Sequence, residues 1–281
     1  MTFFMINRTK YDGFDSVEII SDKMRAVVVY EIGPRIAFFG KPKGKNLLYW
    51  KKDGMERNGW KLYGGHRVWL TRPMADESED TYLPDNDPCS LEIQNNTVIV
   101  TSPENSVNHL VKGMEIELVS ENTIKVRNFV RNKGGLIYSG GVWSPTCIVP
   151  DDTQMIIPLG QEDATWDVVR IVIPRVFAGN TTQLEDSQVK FQGNDLVVTP
   201  AGKTMKRVCC APKGKVILKS KECTFEKYSP YNKLLKYPFE GCNVACFVGP
   251  ENFMGELETF GGETDIPPGA EADNTEYWSL R

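Results

Sequence analysis

The chain has 281 residues, a formal net charge of −4 and 41% hydrophobic residues, an ordinary composition for a globular protein. Its 33 basic and 37 acidic side chains leave no excess positive charge for a nucleic-acid backbone, and no apolar run reaches the ~20 residues of a membrane span. We therefore expect one domain over residues 1–281, located in the cytoplasm, that binds neither nucleic acid nor membrane. The oligomeric state stays open, since edge strands could pair across a two-fold axis and a monomer fits equally well.

The seven cysteines predict neither a disulfide framework nor a metal site. Their number is odd, and a chain of this length can bury a core without cross-links. Cys242 and Cys246 have the wrong spacing for a zinc site, and the polar run at 85–87 lacks the order of a calcium loop. We expect buried free thiols, no metal and no cofactor.

Short runs of β-branched and aromatic residues, separated by Asp, Asn, Gly and Pro, recur along the chain and predict strands. They lie at 17–20, 24–30, 35–39, 90–93, 97–101, 114–119, 123–130, 141–149, 155–158, 196–199, 208–211, 216–220 and 224–228. Residues 168–173 fit a strand better than a helix because they are dense in β-branched side chains. The pattern predicts an all-β fold of large packed antiparallel sheets, with one outer sheet face open to a ligand.

Residues 255–280 are the most informative stretch, and they read as two strands joined by a turn. Alternation along the first strand puts Glu256, Glu258 and Phe260 on the same face. Two neighbouring carboxylates would raise the pKa of one and leave the other ionised, which can prepare a general base. The alternative is a pair of solvated glutamates on an outward face.

Several motifs in this chain resemble those of galactose mutarotase-like (aldose 1-epimerase-like) proteins, and uncharacterised members of that superfamily more than the well-studied aldose epimerases. The strongest is the run ELETF at 256–260, followed by PPG at 267–269 and EYWSL at 276–280. The others are GPRI at 33–36, NLLYW at 46–50, YGGHRVW at 63–69, YLPDN at 82–86, NKG at 132–134, WSP at 143–145 and IIP at 156–158. Each motif is short, but together they span most of the chain in the expected order.

The resemblance implies a β-supersandwich of antiparallel sheets and a sugar or sugar derivative as the ligand. In that family the glutamate of the Leu-Glu strand removes the anomeric hydroxyl proton, which opens the sugar ring and allows it to close on either face. Glu258 is therefore the predicted catalytic base, with Glu256 beside it as a substrate contact.

His66 is the second predicted catalytic residue, as a proton donor or a sugar ligand. It follows Gly64 and Gly65, whose conformational freedom predicts a shaped loop, and imidazole can donate a proton near neutral pH. A turn histidine is an equally good interpretation. Arg67 is a predicted substrate contact because a guanidinium could clamp a carboxylate or phosphate, although alternation would put it on the opposite side from His66.

Three further side chains complete the predicted substrate site. Arg35 occupies a hairpin position that often faces the sugar in the resembling proteins, Trp143 offers a ring for a sugar face, and His109 could rim the pocket. The alternatives are an exposed turn arginine, a core tryptophan and a loop histidine. Of the four candidate stacking rings, we expect one or two to touch ligand: Tyr63, Trp69, Trp143 and Trp278.

One departure from the family pattern keeps three functions open. Characterised aldose epimerases carry a catalytic histidine in the stretch that corresponds to 141–149, and this chain has none there. The first hypothesis is a mutarotase-type isomerase that takes its acid from elsewhere. The second is a sugar or sugar-acid binding module without turnover, and the third is a polysaccharide lyase or hydrolase on the same scaffold.

Overall fold

The computed structural model describes residues 4–73, 79–160, 171–175 and 183–281. Two large antiparallel sheets dominate it, and we call them the first and the second sheet. The first sheet contains, in spatial order, β1 (Phe4–Tyr11), β2 (Phe14–Ser21), β3 (Arg25–Val29), β4 (Arg35–Gly40), β7 (His66–Arg67), β13 (Tyr138–Ile148), β22 (Gly255–Phe260), β21 (Val244–Val248), β18 (Met205–Cys210) and β15 (Ile171–Pro174), with β8 (Trp69–Thr71) and β23 (Thr264–Ile266) also paired to β13.

The second sheet runs antiparallel throughout. Its spatial order is β16 (Val189–Gln192), β17 (Asp195–Val198), β14 (Gln154–Pro158), β19 (Lys215–Lys219), β20 (Thr224–Tyr228), β24 (Glu271–Leu280), β12 (Thr123–Asn132), β11 (Leu110–Ser120), β10 (Thr97–Thr101) and β9 (Ser90–Gln94). A small hairpin, β5 (Glu56–Arg57) with β6 (Trp60–Lys61), and the short turns α1 (Glu79–Tyr82), α2 (Pro238–Gly241) and a 3-10 turn (Pro250–Asn252) complete the described elements. In the part of the chain that the structure describes, no helix is long and apolar enough to cross a membrane.

The predicted all-β fold with large antiparallel sheets is confirmed. The strand predicted at 168–173 appears as Ile171–Pro174, while residues 168–170 lie outside the described part. Among the strands that the sequence did not predict are β1, whose alternation is weak, β16, and β21, which contains Cys246. The seven cysteines are free, and five of them are buried.

The two strands predicted at the C-terminus exist, but they belong to different sheets. β22 pairs with β13 and β21 in the first sheet, whereas β24 pairs with β12 and β20 in the second. Between them, β23 pairs with the start of β13 before the chain crosses over. The last thirty residues therefore connect the two layers of the sandwich.

Apolar side chains from the facing sides of both sheets form the core. Val28, Ile36 and Leu257 come from the first sheet, and Phe225 and Trp278 from the second, all buried in one cluster. Burial of such side chains contributes roughly 1.5–3 kcal/mol each. This packing leaves the other face of the first sheet available for the groups described below.

A buried lysine ties the two sheets together in the middle of this core. Lys227 on β20 places its ammonium 3.1 Å from the carbonyl oxygens of both Ser144 on β13 and Leu257 on β22, and 2.7 Å from Thr146 Oγ1. Glu276 on β24 supplies the counter-charge at 2.9 Å, and all of these groups are buried. One cation thus bridges the second sheet to the adjacent strands β13 and β22.

Replacing Lys227 by methionine should lower the free energy of unfolding by about 3–5 kcal/mol, because Glu276 would remain buried without its cation. Urea denaturation of the variant and the wild type measures the loss.

The matched control is Lys125→Met, which breaks an exposed ion pair with Glu117 at 3.9 Å. That change should cost less than about 1 kcal/mol. Equal losses in the two variants would show that the buried ammonium is not a special tie between the sheets.

Candidate functional site

The carboxylate of Glu258 lies on the outer face of the first sheet, away from the second sheet. Trp143 on β13 donates its indole N–H to Glu258 Oε2 at 2.8 Å, and Lys206 on β18 places its ammonium 3.2 Å from Oε1. Glu258 and Lys206 are both almost fully buried, at 0% and 1% exposure. The Lys206 ammonium also lies 5.0 Å from the centre of the Trp143 ring, so the three side chains form one cluster.

Glu256 shares this face, as alternation predicted, but it has its own cation. Arg67 Nη2 lies 2.5 Å from Glu256 Oε1 and 3.2 Å from the sulfur of Cys147. The Arg67 guanidinium also lies 4.0 Å above the ring of Trp69. Glu256 and Glu258 are therefore each paired with a separate cation and do not share one proton-binding site.

A pocket of about 650 Å³ opens next to this cluster. Trp143 lines it and is the residue that connects it to Glu258. The described side chains around it combine aromatic rings, cations and two carboxylates: Leu70, Thr71, Arg72, Thr81, Trp143, Arg175, Leu235, Lys236, Tyr237, Pro238, Phe239, Glu240, Gly241 and Glu263. This size and mixed lining are typical of a small-molecule site.

A buried carboxylate that the sequence analysis did not select organises one wall of this region. Asp85 accepts hydrogen bonds from the indole N–H groups of Trp60 and Trp69, at 2.9 and 3.1 Å, and pairs with Arg35 at 3.0 Å. On the same loop, Tyr82 stacks on Trp69 with ring centres 3.7 Å apart. Asp85 therefore fixes the rings that pack against Trp143.

Arg35 occupies a different place from the one predicted. It lies on the outer face, but its guanidinium is fully buried and donates to the Gly64 carbonyl and to the carbonyl and carboxylate of Asp85. It does not line the pocket. Its observed contacts orient the loop around Asp85, because the hydrogen-bonding N–H groups are used within the protein.

His66 lies on the other side of the sheet from Glu258, and the structure does not bring the two together. Gly64 and Gly65 adopt positive φ of +87° and +72°, as the paired glycines predicted, and a Cβ at Gly64 would come within 2.2 Å of the Tyr49 carbonyl. The strand that follows turns His66 inward and Arg67 outward. Alternation put His66 and Arg67 on opposite sides, as observed, but Arg67 and not His66 shares the face of Glu256 and Glu258.

Both ring nitrogens of His66 have partners inside the core. Nδ1 lies 2.8 Å from Thr146 Oγ1, and Nε2 lies 2.9 Å from Asn128 Oδ1. Asn128 uses its amide N–H groups for the Asn274 carbonyl and Glu276, so its Oδ1 accepts from His66 and the proton lies on Nε2. In the neutral ring Nδ1 then accepts from the Thr146 hydroxyl, whose oxygen accepts from Lys227. Burial, together with the charges of Lys227 and Arg67, lowers the pKa of His66 to about 4 against the opposing effect of Glu276.

Of the other residues predicted to contact substrate, some lie at the pocket and others do not. Trp143 lines the pocket, whereas His109 lies in an exposed turn with φ of 56° and pairs with Glu104. Among the other candidate stacking rings, Trp278 is in the core between the sheets and Tyr63 packs in a separate cluster near Trp50. Trp143 is thus the predicted substrate residue that the structure places at both the pocket and Glu258.

Comparison with known proteins gives similarity in structure only. No family model and no curated protein sequence matches the chain. A galactose mutarotase-like protein from Clostridium acetobutylicum is similar with a TM-score of 0.63 at 9% identity, covering 99% of this chain and 98% of that chain. A galactose mutarotase-like protein from Lactobacillus casei gives 0.61 at 12% identity, covering 99% and 100%.

A third solved structure, a galactose mutarotase related enzyme from Lactobacillus acidophilus, has a TM-score of 0.60 at 10% identity and covers 100% of this chain and 97% of its own. The three similarities extend over essentially whole chains. The chain therefore has the galactose mutarotase-like fold, as the sequence motifs indicated.

The pH dependence of the free energy of unfolding should show that His66 is buried as a neutral imidazole. In the unfolded chain its pKa is about 6.5, and in the folded protein it is about 4, so the unfolded state binds the proton first as the pH falls. We expect the wild type to lose roughly 2 kcal/mol of unfolding free energy between pH 7 and pH 5 through this residue. Urea denaturation at both pH values measures it.

In His66→Gln this loss should be smaller by the same amount. His109→Gln, at the exposed histidine paired with Glu104, is the matched control for the removal of an imidazole. An unchanged dependence in His66→Gln would contradict the buried neutral state.

Proposed function

We propose that this protein binds a sugar or sugar derivative in the pocket beside Trp143 and catalyses the interconversion of its anomers, with Glu258 as the base. The observation that supports this most directly is the Glu258 carboxylate, which is fixed by an indole N–H and an ammonium next to a pocket of small-molecule size. The similar fold of galactose mutarotase-like structures is consistent with it.

The pocket lining suits a sugar. Phe239 is half-buried and offers a ring on which the C–H face of a sugar can pack, whereas Trp143 and Tyr237 line the pocket with little exposed surface. The lining contains three cations, Arg72, Arg175 and Lys236, against two carboxylates, and this excess of positive charge would favour a substituent such as a carboxylate or phosphate. We therefore include acidic sugar derivatives among the proposed substrates.

Arg67, the cation paired with Glu256, has buried donors that remain without a partner in the part of the chain that the structure describes. The Nε and Nη1 atoms of Arg67 are buried, and within the described residues they have no hydrogen-bond partner. Leaving such groups unsatisfied costs about 1–3 kcal/mol or more. Arg67 is fully buried and, like Arg35, does not line the pocket, so its role as a substrate contact stays a prediction.

In the proposed reaction Glu258 takes the proton of the anomeric hydroxyl. The bond between the anomeric carbon and the ring oxygen then breaks, and the open-chain aldehyde recloses after rotation. Because Trp143 lies between the pocket and Glu258, its ring must move away from Oε2 before the hydroxyl can reach the carboxylate. Fixing the carboxylate in the absence of sugar avoids the cost of an unpaired buried charge.

A second function, sugar binding without turnover, is favoured by one specific observation. Glu258 has no exposed surface, and its oxygens are already engaged by Trp143 and Lys206. If Trp143 stayed in place, a sugar would contact the pocket lining but not the base. Kinetics and binding measured on the same samples separate the two functions.

Wild-type protein should accelerate anomer interconversion of freshly dissolved glucose, galactose or a hexose phosphate, followed by polarimetry or NMR. Glu258→Gln should reduce kcat at least about 100-fold, since an amide cannot accept the proton. Calorimetric titration should show that the variant still binds the sugar.

Glu226→Gln is the matched control, because it removes a largely buried carboxylate on β20 that pairs with Lys215. It should keep the wild-type rate. Saturable binding of a sugar without any acceleration by wild type would instead establish the binding function.

A further inference from the structure

Lys206 is a charged side chain buried at the site for which the sequence analysis assigned no role. It lies on β18, two strands away from β22, and its exposure is 1%. On the same face, its ammonium reaches Glu258 Oε1 at 3.2 Å and faces the Trp143 ring at 5.0 Å. A lysine buried in this way has lost its hydration, so its charge is retained through its neighbours.

We propose that Lys206 is the general acid of this site and donates the proton to the ring oxygen of the sugar; this inference rests on the proposed function. In the ring-opening step Glu258 takes the proton from the anomeric hydroxyl, and the bond between the anomeric carbon and the ring oxygen breaks. The bonding electron pair goes to the ring oxygen, which takes a proton from the Lys206 ammonium. Ring closure on the other face reverses both transfers, so protons and electrons balance without a further reactant.

The electrostatics of a buried pair favour this exchange. Before the step, Glu258 and Lys206 carry opposite charges in a site without solvent exposure. After it, the carboxyl and the amine are both neutral. Because burial penalises the charged forms of both groups, the neutral pair lies closer in free energy to the ion pair here than it would in water.

The other ionisable groups near this face fit the role less well. Arg67 holds Glu256, and a guanidinium does not release its proton in proteins. Burial raises the pKa of the Cys147 thiol, and this thiol lies next to Arg67 and Glu256. His66 is neutral and lies on the opposite side of the sheet.

The test compares Lys206→Arg with wild type, because arginine keeps the positive charge but cannot give up the proton. Lys206→Arg should bind sugar within a few-fold of wild type while kcat falls about 100- to 1,000-fold. The decline of kcat at alkaline pH, where the wild-type ammonium loses its proton, should disappear in the variant. Lys215→Arg, at a half-exposed lysine paired with Glu226, should leave kcat unchanged.

A second variant covers the case in which arginine does not fit. Lys206→Ala should regain activity with added methylammonium but not with added guanidinium, and other primary ammonium ions should rescue according to their pKa. Equal rescue by both cations, or wild-type kcat and the same alkaline decline in Lys206→Arg, would overturn the assignment and leave a purely electrostatic role.

The controls separate this inference from the function on which it rests. If wild type does not accelerate interconversion of any sugar tested, the proposed function fails, and the acid assignment fails with it. If wild type is active, Glu258→Gln is inactive and Lys206→Arg is fully active, only the acid assignment fails.

Discussion

The buried ammonium of Lys227 is the interaction on which the arrangement of both sheets depends. Lys227 lies on the second sheet, but its ammonium donates to the carbonyl oxygens of Ser144 and Leu257 on the first sheet. Ser144 follows Trp143 on β13, and Leu257 precedes Glu258 on β22. Two hydrophobic layers could slide past each other with little change in buried area. An ammonium that must contact acceptors on two particular strands allows only one alignment of the two sheets. The contact of Lys227 with the inward side of β22 therefore helps to set the position of the Glu258 carboxylate on the outward side.

The two buried lysine–carboxylate pairs on opposite sides of β22 differ in how firmly their charges are fixed. Glu276 accepts hydrogen bonds from Thr259 and Trp278 in addition to its contact with Lys227. Burial opposes its ionisation, yet the Lys227 ammonium and the Thr259 hydroxyl hold its pKa below the usual value. Glu276 is therefore held ionised by the core.

Glu258 has a different environment, because its indole partner lies at the wall of a pocket. A carboxylate whose partner can be displaced by a ligand is suited to exchange a proton, whereas one locked among core groups is suited to hold a charge. The same strand thus presents a structural network on one face and the candidate site on the other.

The sequence predicted the parts of this structure that depend on local pattern. Strand positions follow from alternation and turn residues, and the shared face of Glu256 and Glu258 follows from the same rule. Alternation along β7 also separated His66 from Arg67 correctly, but a period of two cannot tell which face is inward. Only the packing of Asn128, Thr146 and Trp278 against His66 decides that, and those residues are distant in sequence.

Buried charge was the feature that sequence patterns could not reveal. Lys206 lies in a largely apolar strand, and Lys227 lies in a strand of mixed polar and aromatic residues. A lysine in either setting is normally interpreted as an outward-facing, solvated residue. Asp85, in a polar run after Pro84, had the composition of an exposed turn. Each is buried because a partner from another part of the chain supplies its counter-charge or hydrogen bonds, and those partners are set by tertiary structure.

Residues 141–149 contain no histidine, and the structure shows which side chain of this stretch contacts Glu258 instead. That stretch forms most of β13, and the residue that it directs towards Glu258 is Trp143, whose indole donates a hydrogen bond but does not titrate. The titratable partner of the carboxylate comes instead from β18, on the far side of β21. In the proposed reaction, proton donation and carboxylate orientation would be divided between two side chains on different strands, so that the indole could move with a ligand while Lys206 stayed beside Glu258.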